Sequence, residues 1–334
     1  MGLDGSLAAV AAAMRANETF VVTGHVNPDP DCLGSMLAVA WGLERLGKQV
    51  TLVSPDPVRP EWRFLPGSER IMQPPAPVAE ALVVLDCEPS RTGEVGQNAG
   101  RFARLFVLDH HATNSAAGNG WYVDPAAAAT GEIVYRLLTD YWDLKLDSAA
   151  ATNLYAALMT DTGSFRFSNT TASALKVAAR LVEAGARPDW IASQVYERAS
   201  WTSMRLLAKA LTGMDRTPDG RIAWITVTRR MLAEAGARDD EADGFVQYPR
   251  MVNGVEVALA LRELSSGETR VGLRSRGTVD VSRIAQRLGG GGHPRAAGCT
   301  LPLPPDAARN RVVAEVIREL DDEQSSGRRE PFSP

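Results

Sequence analysis

Thr19-Phe20-Val21-Val22-Thr23-Gly24-His25-Val26-Asn27-Pro28-Asp29-Pro30-Asp31-Cys32-Leu33-Gly34-Ser35 decides how this chain reads. Its first five residues are a short run of β-branched and aromatic side chains, the signature of a buried strand. Gly24 ends the run, and His25, Asp29 and Asp31 follow closely. Gly34 and Ser35 open an apolar segment that reads as a helix over 34–46. Strand, ligand-rich turn and helix is the unit from which an α/β protein builds a site at the carboxyl edge of its sheet. The spacing points to a metal, provided the rest of the chain supplies further ligands.

Moving outward, strands are expected at 49–53, 81–85 and 105–108. The last two are apolar throughout, as in the centre of a parallel sheet, and end in Asp86 and in Asp109-His110-His111. Helices are expected at 4–16, 130–141, 149–159 and 171–185. This alternation predicts an α/β protein whose first domain, 1–188, is a doubly wound, mainly parallel sheet. A helical linker is expected over 189–214. From there the pattern changes to strands at 221–228, 255–264 and 268–274, a short helix at 281–288, a glycine run and a closing helix at 305–320. These make a smaller α/β domain with a mixed sheet over 215–320. The polar tail, 321–334, reads as disordered.

A chain of 334 residues suits two domains better than one. Its net charge of −4 gives no global argument for a polyanion binder or a membrane surface. The basic residues are nearly all Arg, with Lys only at Lys48, Lys145, Lys176 and Lys209. Arg supplies the planar fork that matches phosphate. Cys32, Cys87 and Cys299 are scattered and odd in number, which fits a reducing cytoplasm and no disulfide framework. The Ala-rich start lacks a basic flank and reads as a first helix, not a signal peptide. No apolar stretch is long enough for a bilayer span, so a cytoplasmic protein without a membrane partner is expected.

The four histidines are His25, His110, His111 and His293. A lone loop histidine is usually solvated. Here three follow expected strand ends and the fourth follows four glycines, and chance placement explains such a set poorly. Asp29, Asp31, Asp86 and Asp109 also fall at strand ends, and Asp161 lies in a turn after an apolar helix. In an open α/β sheet these turns converge. Carboxylates gathered in one crevice repel each other unless cations neutralise them. Asp and His donors without thiolates suit Mn²⁺, Mg²⁺ or a similar divalent ion.

These motifs, His25 to Ser35, Asp86, Asp109-His110-His111 and Asp161-Thr162-Gly163, resemble in order the four motifs of the DHH phosphoesterase superfamily. Gly289 to Gly298 resembles the glycine-rich motif of the DHH-associated C-terminal domain. The stretch Thr162-Gly163-Ser164-Phe165-Arg166-Phe167-Ser168-Asn169-Thr170-Thr171 is most similar to the bacterial nanoRNase/pAp phosphatase group. The resemblance implies two Mn²⁺, with Mg²⁺ or another divalent ion as substitutes. His25 and Asp29 would hold one, Asp31, His110 and Asp161 the other, and Asp86 both. Asp109 would orient the histidine pair, and His111 would face the scissile phosphate, which a metal-bridging hydroxide attacks. Pro30 departs from the family pattern, where a small residue such as Gly is usual, and stiffens the turn.

Substrate recognition is expected from the second domain. Arg262, Arg274, Gly291, Gly292 and His293 are the candidates there, and Arg166 is a further one in the first domain. Four glycines admit backbone N–H groups close to an anion. Short RNA or DNA oligonucleotides and nucleotide phosphates are the expected partners. The resemblance implies cleavage of very short oligonucleotides and of 3'-phosphoadenosine 5'-phosphate. A cyclic or linear dinucleotide phosphodiesterase is the alternative, and a non-catalytic nucleotide-binding regulator a more distant one. The sequence leaves oligomeric state open, a homodimer among the options.

Overall fold

The computed structural model describes residues 5–114, 119–276 and 279–325. The chain divides into two compact units, Met1–Arg198 and Ala199–Pro334.

The first unit carries strands β1 (Thr19–Thr23), β2 (Gln49–Leu52), β3 (Ala81–Leu85), β4 (Arg104–Asp109) and β5 (Gly120–Val123). They form one sheet in the order β2-β1-β3-β4-β5, parallel throughout. In this order the winding reverses between β1 and β3, and a crevice opens at the carboxyl ends of those strands. The helices are α1 (Leu7–Arg15), α2 (Pro30–Arg45), α3 (Gly93–Gln97), α4 (Thr130–Arg136), α5 (Ser148–Asp161), α6 (Ala172–Glu183) and α7 (Pro188–Tyr196). Alternate residues of each strand bury into opposite layers. Phe20 and Val22 join Leu33, Met36, Ile133 and Leu154 in the main core, while Val21, Leu82, Val84 and Val107 pack with Cys87 and Val95 on the other face. The expected apolar strands are therefore buried on both sides, as a doubly wound sheet requires.

One boundary differs in a way that matters. Helix α2 begins at Pro30, not Gly34. Asp29 is its N-cap, with its carboxylate accepting from Cys32 N at 3.0 Å, and Pro30 takes the first helical position. Proline suits that position because its missing N–H would find no helical partner there. The first turn of α2 also lies against the end of β1. A Cβ on Gly24 would come within 2.0 Å of Cys32 Sγ, so only glycine fits.

The second unit contains α8 (Trp201–Thr212), β6 (Asp215–Arg216), β7 (Ile222–Val227), α9 (Arg229–Ala235), α10 (Gln247–Met251), β8 (Val257–Glu263), β9 (Thr269–Ser275), α11 (Val281–Arg287), β10 (Gly291–His293), β11 (Ala296–Leu301) and α12 (Pro305–Ser325). Its sheet runs β10-β11-β9-β8-β7-β6 and is mixed, with β7 and β8 parallel and the other pairs antiparallel. Leu259, Leu261, Val271 and Leu273 pack with Ile284, Val312 and Val316 on one face. Ile225 and Val227 pack with Leu206, Leu232 and Phe245 on the other.

The stretch 189–214, expected as a helical linker, holds two helices with separate allegiances. Ile191 of α7 is buried in the first core, and Leu206 and Ala210 of α8 in the second. The expected disordered tail begins inside α12, and residues 326–334 lie outside the described residues. The glycine run forms a hairpin in which Gly291 pairs with Gly298 and His293 with Ala296. A Cβ on Gly290 would lie 2.1 Å from the Gly298 carbonyl oxygen, and one on Gly292 2.5 Å from that of Ala296. Close strand packing thus demands two of the four glycines. Among the described residues, no helix is long and apolar enough to cross a membrane.

Candidate metal centre

Four turns at the carboxyl edge of the first sheet bring the expected side chains together. His25 follows β1. Its Nδ1 lies 2.8 Å from the Val26 carbonyl oxygen, an acceptor only, so Nδ1 carries the proton. Nε2 then faces Asp86 Oδ2 at 3.4 Å and Asp29 Oδ1 at 3.8 Å. Asp86 follows β3 and holds a left-handed backbone, φ +63°, which Asp tolerates better than most residues. Its other oxygen, Oδ1, lies 3.6 Å from His110 Nε2 and 3.7 Å from His111 Nδ1. His110 follows β4. Its Nδ1 is 3.4 Å from the Ala127 carbonyl, and its Nε2 also faces Asp161 Oδ2 at 3.6 Å and Asp31 Oδ2 at 3.9 Å. Asp31 is buried in the first turn of α2, where it accepts from Thr130 N and Gly131 N at 2.8 and 2.9 Å.

Asp161 is the last residue of α5. Asn169 Nδ2 ties it down, donating to the Asp161 carbonyl at 3.2 Å and the Ala128 carbonyl at 2.9 Å. Beyond it, Gly163, Ser164 and Phe165 are all left-handed, with φ of +57°, +60° and +61°. The two non-glycine residues each cost on the order of 1–2 kcal/mol there, so the turn is held by its surroundings. Thr162 Oγ1 accepts from Phe165 N at 3.1 Å. The turn delivers Arg166, whose Nε donates to the Gly163 carbonyl at 2.7 Å while the side chain stays exposed.

Three donor groups result: His25, Asp29 and Asp86; Asp31, His110 and Asp161; Asp86, His110 and His111. The facing pairs above, at 3.4–3.9 Å, are too long for hydrogen bonds. Donors sharing one ion at 2.0–2.2 Å lie about 3–3.5 Å apart, so these groups are spaced for cations. Charge agrees with spacing. Burial, and then the carboxylates of Asp86, Asp161 and Asp29, push the Asp31 carboxyl well above its ordinary range. Burial pushes Asp161 up to about 6, against the pull of His110 and with the repulsion of Asp86 and Asp29. Burial opposes a charge on His25, but its contacts with Asp29 and Asp86 prevail and raise its pKa strongly. Such a cluster takes up either protons or divalent cations, and the oxygen and imidazole donors fit Mn²⁺ or Mg²⁺.

Asp109 is outside the three groups. Fully buried, it accepts from His111 Nδ1 at 2.7 Å, His111 N at 3.0 Å and Asn114 Nδ2 at 2.7 Å. Burial raises its carboxyl, but these donors outweigh it and hold the carboxyl below the usual range. The same bond, against burial and helped by Asp86, raises His111. With Nδ1 committed to Asp109, His111 offers Nε2 outward.

In the second unit, Arg274 on β9 pairs with Ala296, which pairs in turn with His293. Arg274 and His293 therefore occupy one row across the sheet, although the His293 side chain lies outside the described residues. Arg274 donates to the Leu273 carbonyl at 3.0 Å, and burial and the neighbouring Arg250 charge lower its pKa. Gly291 and Gly292 are in the hairpin beside it. Arg262 donates to Asp243 Oδ1 at 3.1 Å and to the Asp239 carbonyl, so its guanidinium is tied to the 239–243 turn. Sequence reasoning missed Thr130, Asn114 and Asn169. A threonine opening a helix reads as an ordinary cap, and asparagines in loops as turn formers, so no local pattern marks them.

Comparisons with known proteins show the family. The DHH family N-terminal domain matches residues 19–160, and the DHHA1 domain matches residues 222–322. A Thermus thermophilus protein, bifunctional oligoribonuclease and PAP phosphatase NrnA, is 38% identical over 93% of this chain and 93% of its own length. A Streptococcus mutans protein named as a probable enzyme of that kind is 28% identical, covering 86% of this chain and 91% of its own. The crystal structure of an exopolyphosphatase-related protein from Bacteroides fragilis shares the fold, with a TM-score of 0.87, 22% identity, and coverage of 98% of this chain and 99% of that one. The chain belongs to the DHH family, as a DHH domain followed by a DHHA1 domain.

Proposed function

We propose that the chain is a phosphoesterase using two divalent ions, Mn²⁺ by preference, to hydrolyse very short oligonucleotides and 3'-phosphoadenosine 5'-phosphate. The observation that carries this is Asp86, which contributes one oxygen to each of two donor groups. His25 and Asp29 complete one group and His110 and His111 the other, and His110 belongs as well to the group of Asp31 and Asp161. Bound divalent ions would supply Lewis-acid polarisation of the phosphoryl oxygens and a water of lowered pKa. Asp109 fixes the His111 ring through Nδ1, which leaves Nε2 as the nitrogen that would stabilise or protonate an oxygen of the reacting phosphate. Arg166 in the first unit is the candidate contact for a substrate phosphate, and in the second unit Arg274 and the Gly291–His293 strand are the candidates for anion recognition. The names of the two curated relatives support this substrate class. The test is a kcat/KM panel with Mn²⁺ across dinucleotides, longer RNA, 3'-phosphoadenosine 5'-phosphate and cyclic dinucleotides. Preference for a cyclic dinucleotide would overturn the assignment.

Two results should accompany that panel. Arg166→Ala and Arg274→Ala are each expected to raise KM about tenfold, the loss of one charge-assisted hydrogen bond, with kcat nearly unchanged. A fall in kcat at constant KM would place these groups at the transition state instead.

The second result concerns pH. Asp31, Asp161 and His25 all have raised values in the metal-free fold, so folded protein binds more protons than unfolded chain. Each therefore contributes to metal-free stability. For Asp161 that contribution is present below the ordinary carboxylate value of about 4 and is lost as pH rises through about 6, while those of Asp31 and His25 persist to higher pH because their values are raised further. Ion binding needs the same groups deprotonated. The gain in Tm on adding Mn²⁺ is therefore expected to be larger near pH 8 than near pH 5, about 2.7 kcal/mol of stabilisation at a hundredfold excess over Kd. Equal gains at both pH values in calorimetry would contradict the ligand set.

A further inference from the structure

We infer that Thr130 is a positioning residue that sets the plane of the Asp86 carboxylate, so that its two oxygens face different ions; this rests on the two-metal reading. Thr130 opens α4 and is fully buried. Its hydroxyl donates to Asp86 Oδ1 at 2.8 Å. This bond is shorter than the contacts of the three histidines with that carboxylate, which lie at 3.4–3.7 Å. The bonded oxygen is the one turned toward His110 and His111, which leaves Oδ2 for His25. Without that hydroxyl the carboxylate could swing about its last bond, a broad torsion for Asp, and turn both oxygens away from the two groups.

The same residue also holds the second group. Thr130 N and Gly131 N bond the two oxygens of Asp31. Helix α4 has no side-chain cap of its own; Asp31, reaching across from α2, takes two of its free N–H groups. A Cβ on Gly131 would come within 2.7 Å of the Ala157 methyl, so α4 is pressed onto α5 and its first turn cannot drift. One rigid helix start thus fixes the shared carboxylate through a side chain and an unshared one through its backbone. Partners of this kind are commonly worth 10- to 100-fold in metal affinity or activity.

The hydroxyl can be removed without disturbing the rest. Thr130→Val keeps the shape, the β-branch and both backbone donors to Asp31; Thr130→Ser keeps the hydroxyl and loses the methyl. The readouts are Mn²⁺ binding by calorimetry and the electron paramagnetic resonance of bound Mn²⁺, with circular dichroism to confirm folding. Wild type is expected to bind two Mn²⁺ that are magnetically coupled through Asp86. Thr130→Val should bind Mn²⁺ about 10- to 100-fold more weakly and lose the coupled signal at saturation, while Thr130→Ser retains both. Wild-type affinity and coupling in the Val variant would overturn the inference. So would a loss in Ser as large as that in Val, which would make the packing of the whole side chain, and not its hydroxyl, the important part. A wild-type protein that takes up no Mn²⁺ would instead overturn the metal reading itself, and this inference with it.

Discussion

Asp86→Ala is expected to lower kcat/KM on short oligonucleotides by at least about 10³-fold, the several kcal/mol that metal polarisation supplies. The size follows from its place in the ligand set. Asp86 Oδ2 lies against His25 and Oδ1 against His110, so it joins the His25–Asp29 group to the His110 side of the cluster. Truncation therefore weakens both cation positions at once, and metal content should fall with activity. Alanine is also less comfortable than Asp in the left-handed region that residue 86 occupies. Asp86→Asn separates the effects: it keeps the backbone preference and an oxygen for Thr130, but loses the charge and one donor. Both variants should be folded and nearly inactive. Activity within tenfold of wild type in either one, at saturating Mn²⁺, would remove the shared-ligand assignment.

His111→Ala should behave differently. It is expected to lose about 10²- to 10³-fold in kcat, with little change in KM and with metal content intact, because His25, Asp29, Asp31, Asp86, His110 and Asp161 all remain. Asp109→Asn should show a weaker version of the same pattern. The amide can still accept from His111 or Asn114, but it no longer supports a charged imidazole. Loss of one ion from the His111 variant would convert it from an acid or stabiliser into a ligand, as the third donor group permits. A raised KM with unchanged kcat would make it a binding residue.

What the sequence made legible follows from where its chemistry lies. Apolar runs that stop abruptly at Asp86 and Asp109 reveal parallel strands and their carboxyl ends together, and the strand order then brings those ends into one crevice. The ligand positions were readable because each is a local event, a charged side chain just past a strand or helix end. Features created by contact across the fold were not. Thr130 matters only because Asp86 and Asp31 arrive beside it from distant segments. Arg262 has the composition of a phosphate ligand and a strand position beside Arg270, yet Asp243 reaches it first. The glycine run suggested freedom at an anion, whereas Gly290 and Gly292 answer to the neighbouring strand. The start of α2 was misplaced because the residues from Pro30 to Leu33 read as a turn until Asp29 is seen as their cap.

That cap returns attention to Pro30. Asp29 faces His25 and Asp31 faces His110, with a single residue between them. Rotatable side chains would leave the offset between the groups to be chosen afresh in each molecule. A proline ring allows one value of φ, and the first turn of a capped helix allows one ψ. The unfolded chain also has less freedom to surrender there. Pro30 therefore works as a spacer of fixed length and angle, a gauge built from backbone that sets how far apart the Asp29 and Asp31 carboxylates stand.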